Sequence, residues 1–240
     1  MMHDLMRRTS FAEVRYGSGR RMLPHAHSTT SISLVLSGGL DEDALGKTWE
    51  SRALSVVVKP GGVVHEDRFG GDGALMLSLV FPRRASSWAG SYEWFHGGPV
   101  ARCALDVLRA RRDGGGDPAV AIERLLAAVA TSRRPGVAAP WLTDARVALL
   151  GGETVGRVAR RLRVHPGSLS RAYRRTFGLT PLADRARERV RRAADRIGST
   201  SYDLAAIAAE TGFSDQAHLT RTFKRETGTT PAAYRALVTA

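Results

Sequence analysis

Cysteine is nearly absent from this 240-residue chain. Cys103 stands alone, so neither an intramolecular disulfide nor a cysteine-rich zinc module can form. Lysine is scarce too: Lys47, Lys59 and Lys224 face 33 arginines. No run approaches the roughly 18 apolar residues of a membrane-spanning helix, and Met1 to Ser10 lacks the apolar core of a signal peptide. These absences set the expectation of a soluble, cytoplasmic protein that makes no use of the membrane. There is no Gly-x4-Gly-Lys-Ser/Thr phosphate loop, since Gly114–Gly116 is too short for one. Cys103 has no recognisable catalytic surroundings, so the usual nucleophilic enzymes are not indicated. The chain carries 43% hydrophobic and 25% charged residues, a globular balance that excludes a fibrous or wholly disordered polymer.

The formal net charge is +13. An arginine- and alanine-rich chain can reflect genomic base composition alone, so the distribution of charge says more than its sum. Residues 141–240 hold 18 basic and 9 acidic side chains, whereas residues 1–140 hold 18 and 14. A polyanion-binding domain joined to a more neutral one has this form.

Three segments follow from the patterning. Residues 1–98 read as β: Phe11–Tyr16, Ser31–Leu36, Leu54–Lys59 and Ala74–Phe81 are short apolar or alternating runs. Gly38-Gly39, Pro60-Gly61-Gly62 and Gly70–Gly73 read as breaks between them. Such spacing suggests a small barrel or sandwich. Residues 99–140 hold two helical patterns, Val100–Arg112 and Pro118–Thr131, and then Ser132–Pro140, rich in Arg, Pro and Gly, which reads as a linker. The two helices either extend the first core or form a dimer surface. Residues 141–240 read as helical throughout, and the predicted class is α+β.

The last segment repeats itself. Leu169-Ser-Arg171-Ala-Tyr173-Arg-Arg175-Thr-Phe177-Gly178-Leu-Thr180-Pro181 returns as Leu219-Thr-Arg221-Thr-Phe223-Lys-Arg225-Glu-Thr227-Gly228-Thr-Thr230-Pro231. Upstream, Val155, Val158 and Ala159 match Leu204, Ile207 and Ala208 at an offset of 49, so the second copy has one extra residue in its turn. Each copy predicts a short helix, a tight turn and a second helix, the helix-turn-helix arrangement. The predicted helices cover about Thr154–Arg161 and Pro166–Phe177, then Asp203–Thr211 and Gln216–Thr227, the last capped by Ser214 or Asp215. A long helix from Thr180-Pro181 to about Ile197 would tie the two units together. If that helix is rigid, both second helices can enter successive major-groove segments about 34 Å apart.

The polar faces suit DNA. The first unit offers Ser168, Ser170, Arg171, Arg174 and Arg175, and the second offers Gln216, His218, Thr220, Arg221, Lys224 and Arg225. Arginine bonds guanine O6 and N7 together, glutamine reads adenine, and Ser, Thr and His adapt. Arg174 and Lys224 lie a turn further along and suit phosphates. Any one of these alone reads as solvated surface; the duplication carries the inference.

These motifs resemble the AraC/XylS family of bacterial transcription regulators over about Trp141–Arg235. The most specific stretch runs from Ile207 through Thr211-Gly-Phe-Ser-Asp-Gln-Ala-His-Leu-Thr-Arg-Thr-Phe to Pro231, followed by Ala233-Tyr234-Arg235. The resemblance places Ser170 and Arg171, and then Gln216, Ala217, His218, Thr220 and Arg221, in base-facing slots. His165 stands where a Ser cap is usual, Gly167 fills a slot that often carries a base-contacting side chain, and Ala183 replaces a frequent aromatic.

In the first segment, Gly19-x5-His25-x-His27-x3-Ser31-x6-Gly38 and Pro60-x-Gly62-x2-His65 are similar to the two cupin motifs, and such a barrel is a frequent sensor in that family. The expected Glu is Ser31 and the expected Asn is Phe69. Three imidazoles can bind zinc or another transition metal with open positions. The other reading is a metal-free barrel whose His25, His27 and His65, with Trp49 and Trp94 as walls, line an effector pocket or satisfy the core. The resemblance thus implies a non-enzymatic regulator with a cupin-like sensor. Its expected partners are promoter DNA, a small-molecule effector, RNA polymerase and a second copy of the chain. A cupin metal enzyme or metal sensor fused to a DNA-binding tail, and a sequence-independent architectural protein, are the competing readings.

Overall fold

The structure is a computed structural model, and the residues described are 9–82, 92–114, 116–132 and 139–239. Most of the presumed linker and of the signal-peptide region lies outside them. Seven strands form one antiparallel sheet: β1 Ser10–Tyr16, β2 Arg21–His25, β3 Ser31–Ala44, β4 Lys47–Arg52, β5 Ser55–Lys59, β6 His65–Val80 and β7 Glu93–His96. The order is β1-β6-β3-β5-β7, with β2 also on β6 and β4 also on β3. The two long strands pair with each other, and each serves two neighbours.

Two glycine groups that read as breaks are not breaks. β3 runs through Gly38-Gly39, and β6 through Gly70–Gly73. The register shifts between Val35 and Ser37 and again between Gly38 and Leu40. A Cβ on Gly38 would stand 2.1 Å from the Gly73 carbonyl oxygen, and one on Gly73 would stand 2.2 Å from the Tyr16 oxygen. The glycines therefore mark a bulged, close crossing of backbones within strands.

Both faces of the sheet are covered, so Ile32–Leu40 is buried without a break, rather than at alternate residues. Val35, Val57 and Met76 point to one side, where they join Phe69, Tyr92 and Trp94. Ile32, Leu34, Val56, Leu77 and Leu79 point to the other, against Leu105 and Leu108 of helix α1 (Gly98–Arg112) and Ile122 and Leu125 of α2 (Pro118–Ser132). Complete burial of each such aliphatic side chain contributes about 1.5–3 kcal/mol.

The chain divides into two compact units, residues 133–189 and residues 1–132 with 190–240. The smaller contains α3 (Pro140–Leu150), α4 (Val155–Arg161), α5 (Pro166–Phe177) and the first turns of α6 (Pro181–Ser199). Its core joins Leu142, Leu149, Val158, Ala159, Leu169 and Tyr173. The buried Asp184 carboxylate accepts from the Tyr173 hydroxyl at 2.6 Å and from Arg146 Nε at 2.7 Å.

In the larger unit, the end of α6 is followed by α7 (Leu204–Glu210), α8 (Gln216–Thr227) and α9 (Pro231–Thr239). Val190, Ala194, Ile197, Leu219, Phe223 and Tyr234 join the apolar cluster of the sheet and α1. The Asp195 carboxylate accepts the Gly38 N–H at 3.0 Å, and the Tyr234 hydroxyl donates to the Leu36 carbonyl. At the end of α8, Arg102 donates to the Arg225 carbonyl and Arg109 to that of Gly228, at 3.2 Å for the latter. Cations there complement the helix dipole.

Candidate functional site

The duplicated segments fold alike. Thr154 caps α4, its side chain accepting from the Arg157 N–H at 3.3 Å, and Asp203 caps α7 through the Ala206 N–H at 2.7 Å. In the turns, Arg163 and Gly212 hold the equivalent left-handed position, with φ of 54° and 81°. His165 Nδ1 accepts the Gly167 N–H at 3.1 Å, so this imidazole does the work of the usual Ser cap on α5. Asp215, rather than Ser214, caps α8, accepting the His218 N–H at 2.6 Å. Each such cap is worth roughly 1 kcal/mol in a typical helix.

α5 and α8 are each 12 residues long. Each turns an i, i+4 pair of a leucine and an aromatic inward, Leu169 with Tyr173 and Leu219 with Phe223, all fully buried. Opposite them, Ser168, Arg171 and Arg174 are exposed on α5, with Ser170 half-buried. On α8, Gln216, Ala217, Arg221 and Lys224 are exposed, with His218 and Thr220 half-buried. Three of these are already held locally. Arg171 donates to Ser168 Oγ at 3.1 Å; the His218 ring lies 3.1 Å from Ser214 Oγ and edge-on to Phe213; Thr220 donates to the Gln216 carbonyl at 2.9 Å. At Gly167 a Cβ would lie 3.2 Å from the capping His165 Nδ1 and in ordinary contact, 3.5 Å, with an Arg171 guanidinium nitrogen.

A second constellation lies in the sheet. The rings of His25, His27 and His65 have centroids 4.4–5.2 Å apart. His65 is buried, His25 half-buried and His27 exposed. Strand register explains the grouping, because His25 on β2 pairs with His65 on β6, which in turn pairs with Ala44 on β3. Two residues along, Trp49, Glu42 and Asp67 form the next row across β4, β3 and β6. Trp49 thus stands across from Glu42, its ring centroid 6.5 Å from that of Tyr92.

Glu42, Asp67, Lys59 and Tyr92 were not among the residues expected at this site. Lys59 Nζ lies 2.7 Å from Glu42 Oε1 and 3.7 Å from Asp67 Oδ1. Burial pushes the Glu42 carboxyl up, against the opposing pull of Lys59. Burial also pushes His65 down to about 4, assisted by Lys59, and lowers His27, so both rings are neutral near pH 7. Parity along β3 would have placed Glu42 inward with Leu40 and Ala44, but that signal vanishes once the strand is cut at Gly38-Gly39.

A family profile described as a helix-turn-helix domain matches residues 158–237. The arabinose operon regulatory proteins of Salmonella typhimurium and Escherichia coli are each 30% identical to this chain over 82 residues, 34% of its length. The match covers 29% and 28% of those two proteins, so the chain spans less than a third of the curated relatives it matches. Among solved structures, the C-terminal domain of AraT, a response regulator from Geobacillus stearothermophilus, is 26% identical, with a TM-score of 0.39, over 42% of this chain and 88% of that one. Among the described residues no helix is long and apolar enough to cross a membrane. Over residues 158–237, then, the chain matches a helix-turn-helix domain and is similar to the arabinose operon regulatory proteins.

Proposed function

We propose that the chain is a sequence-specific DNA-binding transcription regulator, cytoplasmic and non-enzymatic. Its DNA-binding part, residues 141–240, would consist of two helix-turn-helix units, α4–α5 and α7–α8, linked by α6. The single observation that carries this reading is the recurrence of the same helix twice: capped, closed by an aromatic inner face, and bearing an exposed arginine at the same step, Arg171 and Arg221. Direct contacts from Ser168, Ser170, Arg171, Gln216, Ala217, His218, Thr220 and Arg221 would read bases, while Arg174 and Lys224 would hold phosphates. The target is then a bipartite site read by one chain, without a palindrome.

Residues 1–98 would act as a cupin-like sensor around His25, His27, His65 and Trp49, and residues 99–140 as its helical support or a dimer surface. An effector bound there changes transcription only if it binds two states of the protein unequally, whether the states differ on DNA or against RNA polymerase. The test is selection of duplexes from a random-sequence pool by the full chain, followed by fluorescence anisotropy at about 150 mM salt, the physiological range. Enrichment of a two-part motif bound at least about a thousandfold more tightly than random duplex supports the reading. Equal affinity for selected and random DNA rejects it in favour of an architectural protein.

A further inference from the structure

The end of α8 is held from far away in the sequence. A helix leaves its last four carbonyls without partners of its own. Here the Lys224 carbonyl accepts the Gly228 N–H at 2.8 Å, the local closure of a left-handed glycine cap. The Arg225 carbonyl accepts instead from Arg102, and the Gly228 carbonyl from Arg109 at 3.2 Å. Both donors belong to α1, 123 and 119 residues earlier in the chain. The matching end of α5, at Arg175 and Gly178, lies in the other compact unit, which contains no part of α1.

Arg102 and Arg109 are about two helical turns apart, so they stand in one row on α1. Asp106, between them, holds the Arg109 guanidinium. One turn on, Arg112 donates to the Leu237 carbonyl of α9 at 2.5 Å and pairs with Glu13 of β1. Leu105 and Leu108 of the same helix lie in the apolar cluster of the sheet. Each of the three arginines thus reaches a backbone carbonyl of α8, of the turn after it or of α9. Such bonds fix where a helix stands without engaging its side chains, and Gln216, Ala217, Arg221 and Lys224 stay exposed. The grip is at the C-terminal end of α8, whereas a helix of this kind reads base edges from its N-terminal residues. Gln216 stands nine residues before Arg225, about 13 Å along the helix. A tilt of about 10° around the gripped end would move it by roughly 2 Å, several times the ~0.5 Å within which a binding group must be held.

We propose that Arg102 and Arg109 are positioning residues for base reading: from α1 they fix the stance of α8, so that the half-site read by α8 depends on the N-terminal part of the chain. This rests on the reading given above, in which α8 enters the major groove. The two arginines act through the backbone of α8 and touch no base. Because α5 belongs to the other unit, the half-site that it reads is indifferent to them.

The test uses the full chain and the motif that it selects from a random-sequence pool. Arg171→Ala and Arg221→Ala assign the two halves of that motif, each relaxing preference in the half its own helix reads. The double variant Arg102→Ala with Arg109→Ala is then compared with the native chain by anisotropy, on the matched duplex and on duplexes mutated in one half. Discrimination in the α8 half should fall by about fivefold or more, the low end of what one mismatched base pair costs. Discrimination in the α5 half and the salt slope should stay as in the native chain. Arg102→Ala alone should show the same pattern more weakly, and because that side chain is exposed it keeps the test decisive if the double variant does not fold. Unchanged discrimination in both halves overturns the proposal, and so does an equal loss in both, which is what general loosening of the fold would give. A salt slope lower by about one for each arginine removed, with discrimination kept, makes them direct phosphate contacts and also overturns it. A native chain that selects no duplex overturns the DNA-regulator reading, and this proposal with it.

Discussion

Arg163 and Gly212 occupy the same step of the two repeated turns, and both hold the backbone in the left-handed region. Glycine tolerates it; arginine bears the clash of its Cβ with the carbonyl. Arg163→Gly should therefore stabilise the smaller unit, by about 0.5–1 kcal/mol once the entropy of glycine in the unfolded chain is subtracted. A higher midpoint in chemical or thermal unfolding would show it. A lower midpoint would mean that the arginine side chain contributes more than its backbone costs.

Much of the helical half was legible because its signals are local. Pro166 and Gly178, or Asp215 and Gly228, mark the two ends of one 12-residue helix each, and the 50-residue repeat reinforces each reading. The sheet was less so. β2 and β7 have only five and four residues, and neither alternates clearly. In the sequence β3 looks cut short at Gly38-Gly39 and β6 looks delayed until after Gly70–Gly73, because these glycines serve a crossing 35 residues away in sequence. The three histidines stood out as a motif, but Glu42, Asp67 and Lys59 depend on the register of three strands, which no local pattern reports.

Asp184→Ala should weaken the smaller unit by about 2–3 kcal/mol, because the buried Tyr173 hydroxyl and the Arg146 guanidinium lose their common acceptor. Denaturant titration and faster proteolysis within residues 139–189 are the measurements. Asp184→Asn, which keeps an acceptor oxygen for Tyr173, should cost less.

Tyr234→Phe leaves the Leu36 carbonyl in the larger unit without the hydroxyl that it accepts from. Tyr234 is fully buried, so a loss of about 1–3 kcal/mol is expected. Hydrogen exchange should show the effect in both β3 and α9.

The α8 cap gives a pH dependence. The His218 N–H and then the Ser214 hydroxyl hold the Asp215 carboxyl below its ordinary value of 3.8. A group whose folded pKa is depressed stabilises fully above the unfolded value and loses that contribution as pH falls through the folded one. Between about pH 6 and pH 3, the melting temperature of the native chain should therefore fall further than that of Asp215→Asn, which keeps a capping oxygen but does not titrate. Parallel slopes would remove Asp215 from the account.

Arg221→Ala and Lys224→Ala should differ in kind. Losing a base-reading arginine costs about 1–3 kcal/mol and relaxes preference at one position of the selected motif. Losing a phosphate contact weakens all duplexes alike and lowers the salt slope by about one. Anisotropy on matched and mutated duplexes at several salt concentrations separates the two.

The crossing of Gly38 and Gly73 constrains how this sheet can change over time. Because each α-carbon sits against a carbonyl oxygen of a neighbouring strand, a side chain at Gly38 would push β3 off β6, and one at Gly73 would push β6 off β1. The lining of the sheet can be rewritten, but its pinch point admits no lettering other than glycine.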